Sequence, residues 1–345
     1  MSRGSPPSGA ARTRLGPASR NLRRMMIPRT TRPADDPRNG PVALRRELLA
    51  AGLNDRAISR LIANGSLVRI RRGAFVDSGV WKQLDDEGRF GLRGRAVLKQ
   101  AKTSAALSHA SGLPEYGAPL WGFDLSEVHV TRTDGLTGRH EAGVHQHSGL
   151  VRPGDLAVVN GVLVMNPSRI ALETTALGNT EAALCVTNDL LHRGLTSPEL
   201  LNSQYVGMDP WPDTLAAEIV LRLADGRIES VGETRTFWCC YQQGLPMPAP
   251  QYKVRDPSGR VVARVDFAWP KLGVFLEFDG MIKYEKLLTP GQRASEVVVK
   301  EKEREALICR LTGWRCIRVT WGDLASPARL AARIREVLFP SAIAS

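Results

Sequence analysis

The sequence predicts a multidomain α/β protein with a small helical front, a mixed middle and a C-terminal unit ordered helix, three strands, helix, strand. Three observations carry this. Two short amphipathic helices and a basic hairpin open the folded chain at residues 41–80. Short strand-like and helix-like stretches follow through 81–212. Runs rich in β-branched and aromatic residues then fall between helical segments in 213–345. At 345 residues and 43% apolar, the chain is long enough for two or three real cores.

Residues 1–40 read as a disordered basic tail. They hold six prolines, no periodic apolar pattern, and nine Arg against Asp35 and Asp36. Seven of the net +12 charges therefore lie there, and the folded remainder is only mildly basic. Met25 and Met26 are candidate alternative starts. A pI near 9.9 points to a polyanionic partner, most simply nucleic acid. No apolar run approaches the ~18 residues of a membrane span. Cys185, Cys239, Cys240, Cys309 and Cys316 form no C-x-x-C pair, so reduced thiols in a cytoplasmic protein are expected.

In the front, a helix runs to Ala51, stops at Gly52, and a second begins after Asn54, a good N-cap. Ile58, Leu61 and Ile62 make its expected buried face, and Arg56, Ser59, Arg60 and Ala63 the opposite one. A hairpin follows in which Val68 and Ile70 alternate with Arg69 and Arg71, turning through Arg72-Gly73. Helix, short turn, helix, basic hairpin is the layout of a winged helix. Arg56, Ser59 and Arg60 would then face a major groove while Arg69, Arg71 and Arg72 grip phosphates. An ordinary solvated helix face is the competing reading of Arg56 and Arg60. The phrase "GSLVRIRRGAFV" resembles the N-terminal domain of AbiEi-type antitoxins, which implies DNA binding and a cognate toxin as partner.

The middle extends that resemblance. Ser108-His109-Ala110-Ser111, the strand Val128–Val130 and Pro167-Ser168-Arg169 match, in order, a Ser-His-x-Ser helix, a strand and a Pro-x-Arg helix start. His109, His145 and His147 invite a metal reading, since His145 and His147 share a strand face. No Cys or carboxylate at ligand spacing completes a set of four, so surface or core histidines are expected.

In the rear, helices are expected at 213–224 and from Ser230 to Gly244, and strands at 251–255, 260–268 and 273–278. A charged helix at 294–311, a strand at 315–320 and a last helix at 327–338 follow. This is the order of the PD-(D/E)xK nuclease core, and the stretch from "SVGET" through "ARVDFAWPKLGVFLEFDG" to "GWRCIRVTWGDL" resembles restriction-endonuclease-like domains related to very-short-patch-repair endonucleases. The resemblance implies that Glu233, Asp266 and Glu277, with Asp279, hold Mg²⁺ or Mn²⁺ to polarise a phosphate and activate water. The motif lysine is replaced by Asp279, leaving Lys283 or Lys253 to supply an ammonium. Each carboxylate also has a structural reading. Ser230-x-x-Glu233 is a capping box, Asp266 has Arg264 or Lys253 as partners, and Asp279-Gly280 can form a turn.

Two functional expectations follow. One is a DNA-binding protein whose rear domain hydrolyses DNA phosphodiesters with Mg²⁺. The other is a non-catalytic AbiEi-type antitoxin or autorepressor with a degenerate nuclease fold. RNA in place of DNA is a third, weaker reading. The sequence carries no P-loop, dinucleotide glycine pattern or nucleophile elbow, which disfavours the chemistries those serve.

Overall fold

A computed structural model describes residues 32–141, 143–208, 214–256, 258–280 and 294–340. Most of the expected tail, residues 1–31, and Lys283 lie outside the described residues. The protein is a multidomain α/β chain with a winged-helix-like front and two mixed β-sheets behind it.

The front contains β1 (Ala43–Leu44), α1 (Arg45–Ala50), α2 (Asp55–Ala63), β2 (Leu67–Arg71) and β3 (Ala74–Asp77), with sheet order β1-β3-β2. Asn54 caps α2 by accepting the Ala57 N–H at 2.9 Å, as its sequence position predicts. Ala74 and Val76 of the central strand pack with Val42, Leu44, Leu92 and Ala96. Two expectations change here. Ile58 is buried, but Ile62 is 37% exposed. The β2–β3 register also shifts between Arg69 and Arg71, a bulge that breaks the expected alternation of the wing.

Two helices follow, α3 (Ser78–Gln83) and α4 (Asp86–Gln100). Helix α4 is shared between two cores: Leu92 and Ala96 face the winged helix, whereas Phe90 and Val97 join the middle core. That middle core surrounds a six-stranded sheet made of β4 (Ala105–Leu107), β5 (Val128–Arg132), β6 (His140–Glu141), β7 (Val144–His147), β8 (Leu156–Val159) and β9 (Val162–Met165). The order is β6-β7-β5-β4-β9-β8, with β5 parallel to β7 and β4 parallel to β9. Helix α5 (His109–Tyr116) and helices α6 (Pro167–Thr175), α7 (Thr180–His192) and α8 (Pro198–Val206) complete it. Asn166 and Pro167 start α6 as expected, the Asn166 side chain accepting the Arg169 N–H at 2.8 Å.

The tail gives way to structure before residue 40. The Arg32 backbone donates to Asn160 Oδ1, and its guanidinium reaches Glu115 Oε2 at 2.8 Å. Arg95 of α4 also holds Glu115, which is fully buried, at 2.7 Å. A buried carboxylate needs such paired donors, and here they pin residue 32 to the middle unit.

The rear contains α9 (Thr214–Leu223), α10 (Val231–Gln242), β10 (Ala249–Arg255), β11 (Val261–Trp269), β12 (Val274–Asp279), α11 (Ala294–Thr312), β13 (Arg315–Thr320), α12 (Trp321–Leu324) and α13 (Pro327–Leu338). The sheet runs β10-β11-β12-β13, antiparallel except for the parallel β12–β13 pair. Phe267, Leu276 and Phe278 pack with Phe237 of α10 and Ile334 of α13. Phe275 and Ala268 on the other face pack with Ile308 of α11. Helix α7 joins this unit to the middle, giving Leu184 to the rear core and Leu190 to the middle one.

Helix α10 approaches the sheet closely because residue 232 has no side chain. A Cβ there would lie 2.0 Å from Cε1 of Phe278. Gly232→Ala is therefore expected to cost about 1–3 kcal/mol through forced repacking. Urea unfolding followed by tryptophan fluorescence reads this, and an unchanged midpoint would show that the ring moves freely.

Candidate nucleic-acid interface, carboxylate row and histidine pocket

On the winged-helix-like region, Arg56, Ser59 and Arg60 of α2 are all exposed, as are Arg69 and Arg72 of the wing. These five side chains are available to a duplex. Arg71 differs. It is half-buried, burial lowers its pKa, and the charge of Glu141 on β6 acts on it in the opposite direction. The bulge at Ile70 accounts for this, since it turns Arg71 out of the alternation that sets Arg69 in solvent.

In the rear unit, the strand registers set Gln251, Asp266, Glu277 and Arg318 in one row across β10–β13. Glu233 joins its end, accepting a hydrogen bond from Gln251 Nε2 at 2.9 Å. Gln251 has φ +51°, a backbone twist that accompanies the skipped pairing between Pro250 and Tyr252. Glu233 further accepts from Ser230 Oγ at 2.7 Å and from the Glu229 N–H at 3.1 Å, so its capping role is real. Asp266 accepts the Phe278 N–H at 2.8 Å, and Arg264 pairs with Glu229 instead. Glu277 is buried and paired with Arg304 of α11 at 2.9 Å. Asp279 follows on the same strand, half-buried, with Phe278 turned into the opposite core. The row gathers the expected carboxylates, and hydrogen-bond donors of the protein hold Glu233, Asp266 and Glu277.

Among the described residues, the group whose potential ligand atoms all lie within 4.8 Å of one another is imidazole: His129, His145 and His147. No trio of carboxylates meets that separation among them, contrary to the Mg²⁺ expectation. The register explains how the histidines meet. Parallel pairing sets His129 beside His145 and Thr131 beside His147, all on one face of the sheet. Val128, Val130 and Val144 alternate into the core behind. His129 Nδ1 lies 2.9 Å from His147 Nε2, and the His147 ring stacks on His145 at 3.9 Å and on His109 at 3.8 Å. A potential metal-binding cluster is thus present where surface or core histidines were expected.

The surroundings are ordered by an ion network. Arg169 Nε donates to Glu173 Oε1 at 2.8 Å, and its Nη1 donates to the Leu150 carbonyl at 2.8 Å and to Asp155 Oδ2. Glu173 Oε2 accepts the His109 N–H at 3.0 Å, holding that residue at φ +51°. Burial pushes the Glu173 carboxyl up, partly offset by Arg169. Burial, then the neighbouring rings, lowers His129 to about 4 and His147 to about 3, so both are neutral at pH 7. Neutral imidazoles have the lone pairs a metal ion needs.

Sequence reasoning missed His129. The available signal was density: five of the six histidines fall between 109 and 147. All five cysteines are free thiols, away from this cluster, with Cys185, Cys239 and Cys240 buried. No helix among the described residues is long and apolar enough to cross a membrane.

A family model described as "Transcriptional regulator, AbiEi antitoxin" matches residues 36–76, the segment that holds α1, α2 and the wing. The match is much narrower than the resemblance read along the sequence. Over 282 residues the chain is 28% identical to the uncharacterized proteins MT2308 and Rv2248 from two strains of Mycobacterium tuberculosis, spanning 80% of this chain and 94% of theirs. It is also similar to the crystal structure of the RV2827C protein from Mycobacterium tuberculosis, with TM-score 0.35 and 17% identity over 59% of this chain and 76% of that one. The front of the chain is an AbiEi antitoxin-like, winged-helix-like region.

Proposed function

We propose that this protein is a DNA-binding transcriptional regulator of the AbiEi antitoxin type, acting with a cognate toxin, whose rear unit is a restriction-endonuclease-like scaffold without catalysis. The carrying observation is the exposed set Arg56, Ser59, Arg60, Arg69 and Arg72 within the antitoxin-like segment. Helix α2 enters the major groove, and the wing arginines bind flanking phosphates.

The element order of the rear and the row from Glu233 to Glu277 support the scaffold part of the reading. The charge of Arg304 argues against catalysis. At 2.9 Å from Glu277 it supplies the positive charge that a divalent ion would bring. Arg304 and the Phe278 N–H give these carboxylates a structural role across the β11–β12 seam.

Purified protein with the duplex upstream of its own gene tests this. Binding is expected to persist in EDTA, and plasmid incubated with Mg²⁺ or Mn²⁺ is expected to stay supercoiled. Asp266→Asn and Glu277→Gln should leave DNA affinity within about twofold. Mg²⁺-dependent nicking that disappears in Asp266→Ala and Glu277→Ala would replace this reading with the endonuclease one, with Asp279 and Lys283 as the next residues to vary.

A further inference from the structure

We propose that His129, His145 and His147 bind one transition-metal ion of the zinc class, with a fourth coordination position open to the adjoining pocket. Three imidazoles with no thiolate suit zinc and its neighbours better than Mg²⁺, which requires oxygen ligands. Three protein ligands with an open position are the pattern of sites that take water or a small anion. The pocket beside them has a volume of about 850 Å³ and is reached past Gly149, Leu150 and Arg152.

The geometry needs little adjustment. Bonds of about 2.0–2.1 Å in a tetrahedral site separate ligand nitrogens by roughly 3.4 Å. The three nitrogens already lie within 4.8 Å of one another. The 2.9 Å contact between His129 Nδ1 and His147 Nε2 must open by a few tenths of an ångström, a small ring rotation.

Two further observations point to a ligand here. Thr131 Oγ1 is buried on the same strand face, lines the same pocket, and has no hydrogen-bond partner among the described residues. A buried hydroxyl left so is costly, and a water or anion in the fourth position would supply its partner. His109, whose positive φ is fixed by Glu173, presses its ring against His147 and sets that ring's plane. It acts as a positioning residue for the trio. Arg169 does not repel the cation, because Glu173 and Asp155 both neutralise it.

The full chain, stripped with chelator and titrated with Zn²⁺ and separately with Co²⁺, tests the proposal. One ion per chain is expected, with the intense visible absorption of four-coordinate cobalt. Affinity should fall at least about 100-fold in His145→Gln and His147→Gln and stay unchanged in His140→Gln, an exposed neighbour outside the trio. Thr131→Val should keep the ion but weaken azide binding to the cobalt form. X-ray absorption on the wild-type zinc protein should show imidazole scattering and no sulfur, which settles the ligands even if a variant fails to fold. Absence of saturable one-equivalent binding, a sulfur-to-cobalt charge-transfer band, or undiminished affinity in folded His145→Gln and His147→Gln would overturn it.

Discussion

Replacing Arg56, Arg60, Arg69 and Arg72 together with Ala is expected to lower affinity for duplex DNA by roughly 10³-fold at 0.1 M salt. Each phosphate contact contributes about 0.9 to the slope of log affinity against log salt, or about eightfold at that concentration. Four lost contacts should flatten the slope by between three and four. The four side chains are exposed, so removing them should not disturb the core. Arg71→Ala is the internal contrast. Half-buried and within the field of Glu141, it should change the slope by less than one. Ser59→Ala should leave the slope alone and alter the preference among duplex sequences, because a helix hydroxyl reads base edges or nothing. Fluorescence anisotropy across a salt series gives every number. A quadruple variant with the wild-type slope would move DNA binding to another surface and remove the main support for the regulator reading.

How far the sequence could be read depended on whether the signal was local. Caps and turns were legible: Asn54, Asn166 and Ser230 each start a helix where their side chains accept a backbone N–H. The rear strands were legible because their apolar runs end at strong turn signals such as Gly259, at φ +84°. The fate of their carboxylates was not. Asp266 accepts a backbone N–H twelve residues ahead, and Glu277 meets Arg304 on a helix across the sheet. Neither partner follows from spacing. The wing misled by one residue, since a bulge at Ile70 changes which face Arg71 takes and no propensity marks it. The end of the tail depends on a buried glutamate that accepts Arg32 from 83 residues away. The histidine site was hidden for the same reason. His129 joins His145 through parallel pairing of β5 and β7, while β6 and a turn occupy the sequence between. Alternation on one strand gave two ligands, but only the sheet register gives the third.

The network behind that pocket should be the most sensitive point of the middle unit. Arg169→Met is expected to destabilise it by about 3–5 kcal/mol, the range for removing one partner of a buried ion pair. The side chains of Arg169 and Glu173 are 3% and 0% exposed, so water cannot replace the guanidinium. Asp155 would keep the Arg152 N–H and Gln204 as donors, and Glu173 would keep the His109 N–H. Those bonds carry no full positive charge, so two carboxylates would be left to share a dry site. Arg169→Lys should recover only part of the loss, since an ammonium is a point charge and cannot reproduce the planar fork spanning Glu173, Asp155 and the Leu150 carbonyl. Glu173→Gln should cost less than Arg169→Met, because the amide oxygen can still accept from Arg169 or His109 while Asp155 retains its cation. Urea unfolding followed by circular dichroism orders the three variants. If Arg169→Met proves as stable as wild type, the buried charges relax by taking up protons or water. His109 would then lose the Glu173 carboxylate that fixes its positive φ, and its placement against His147 would need another explanation.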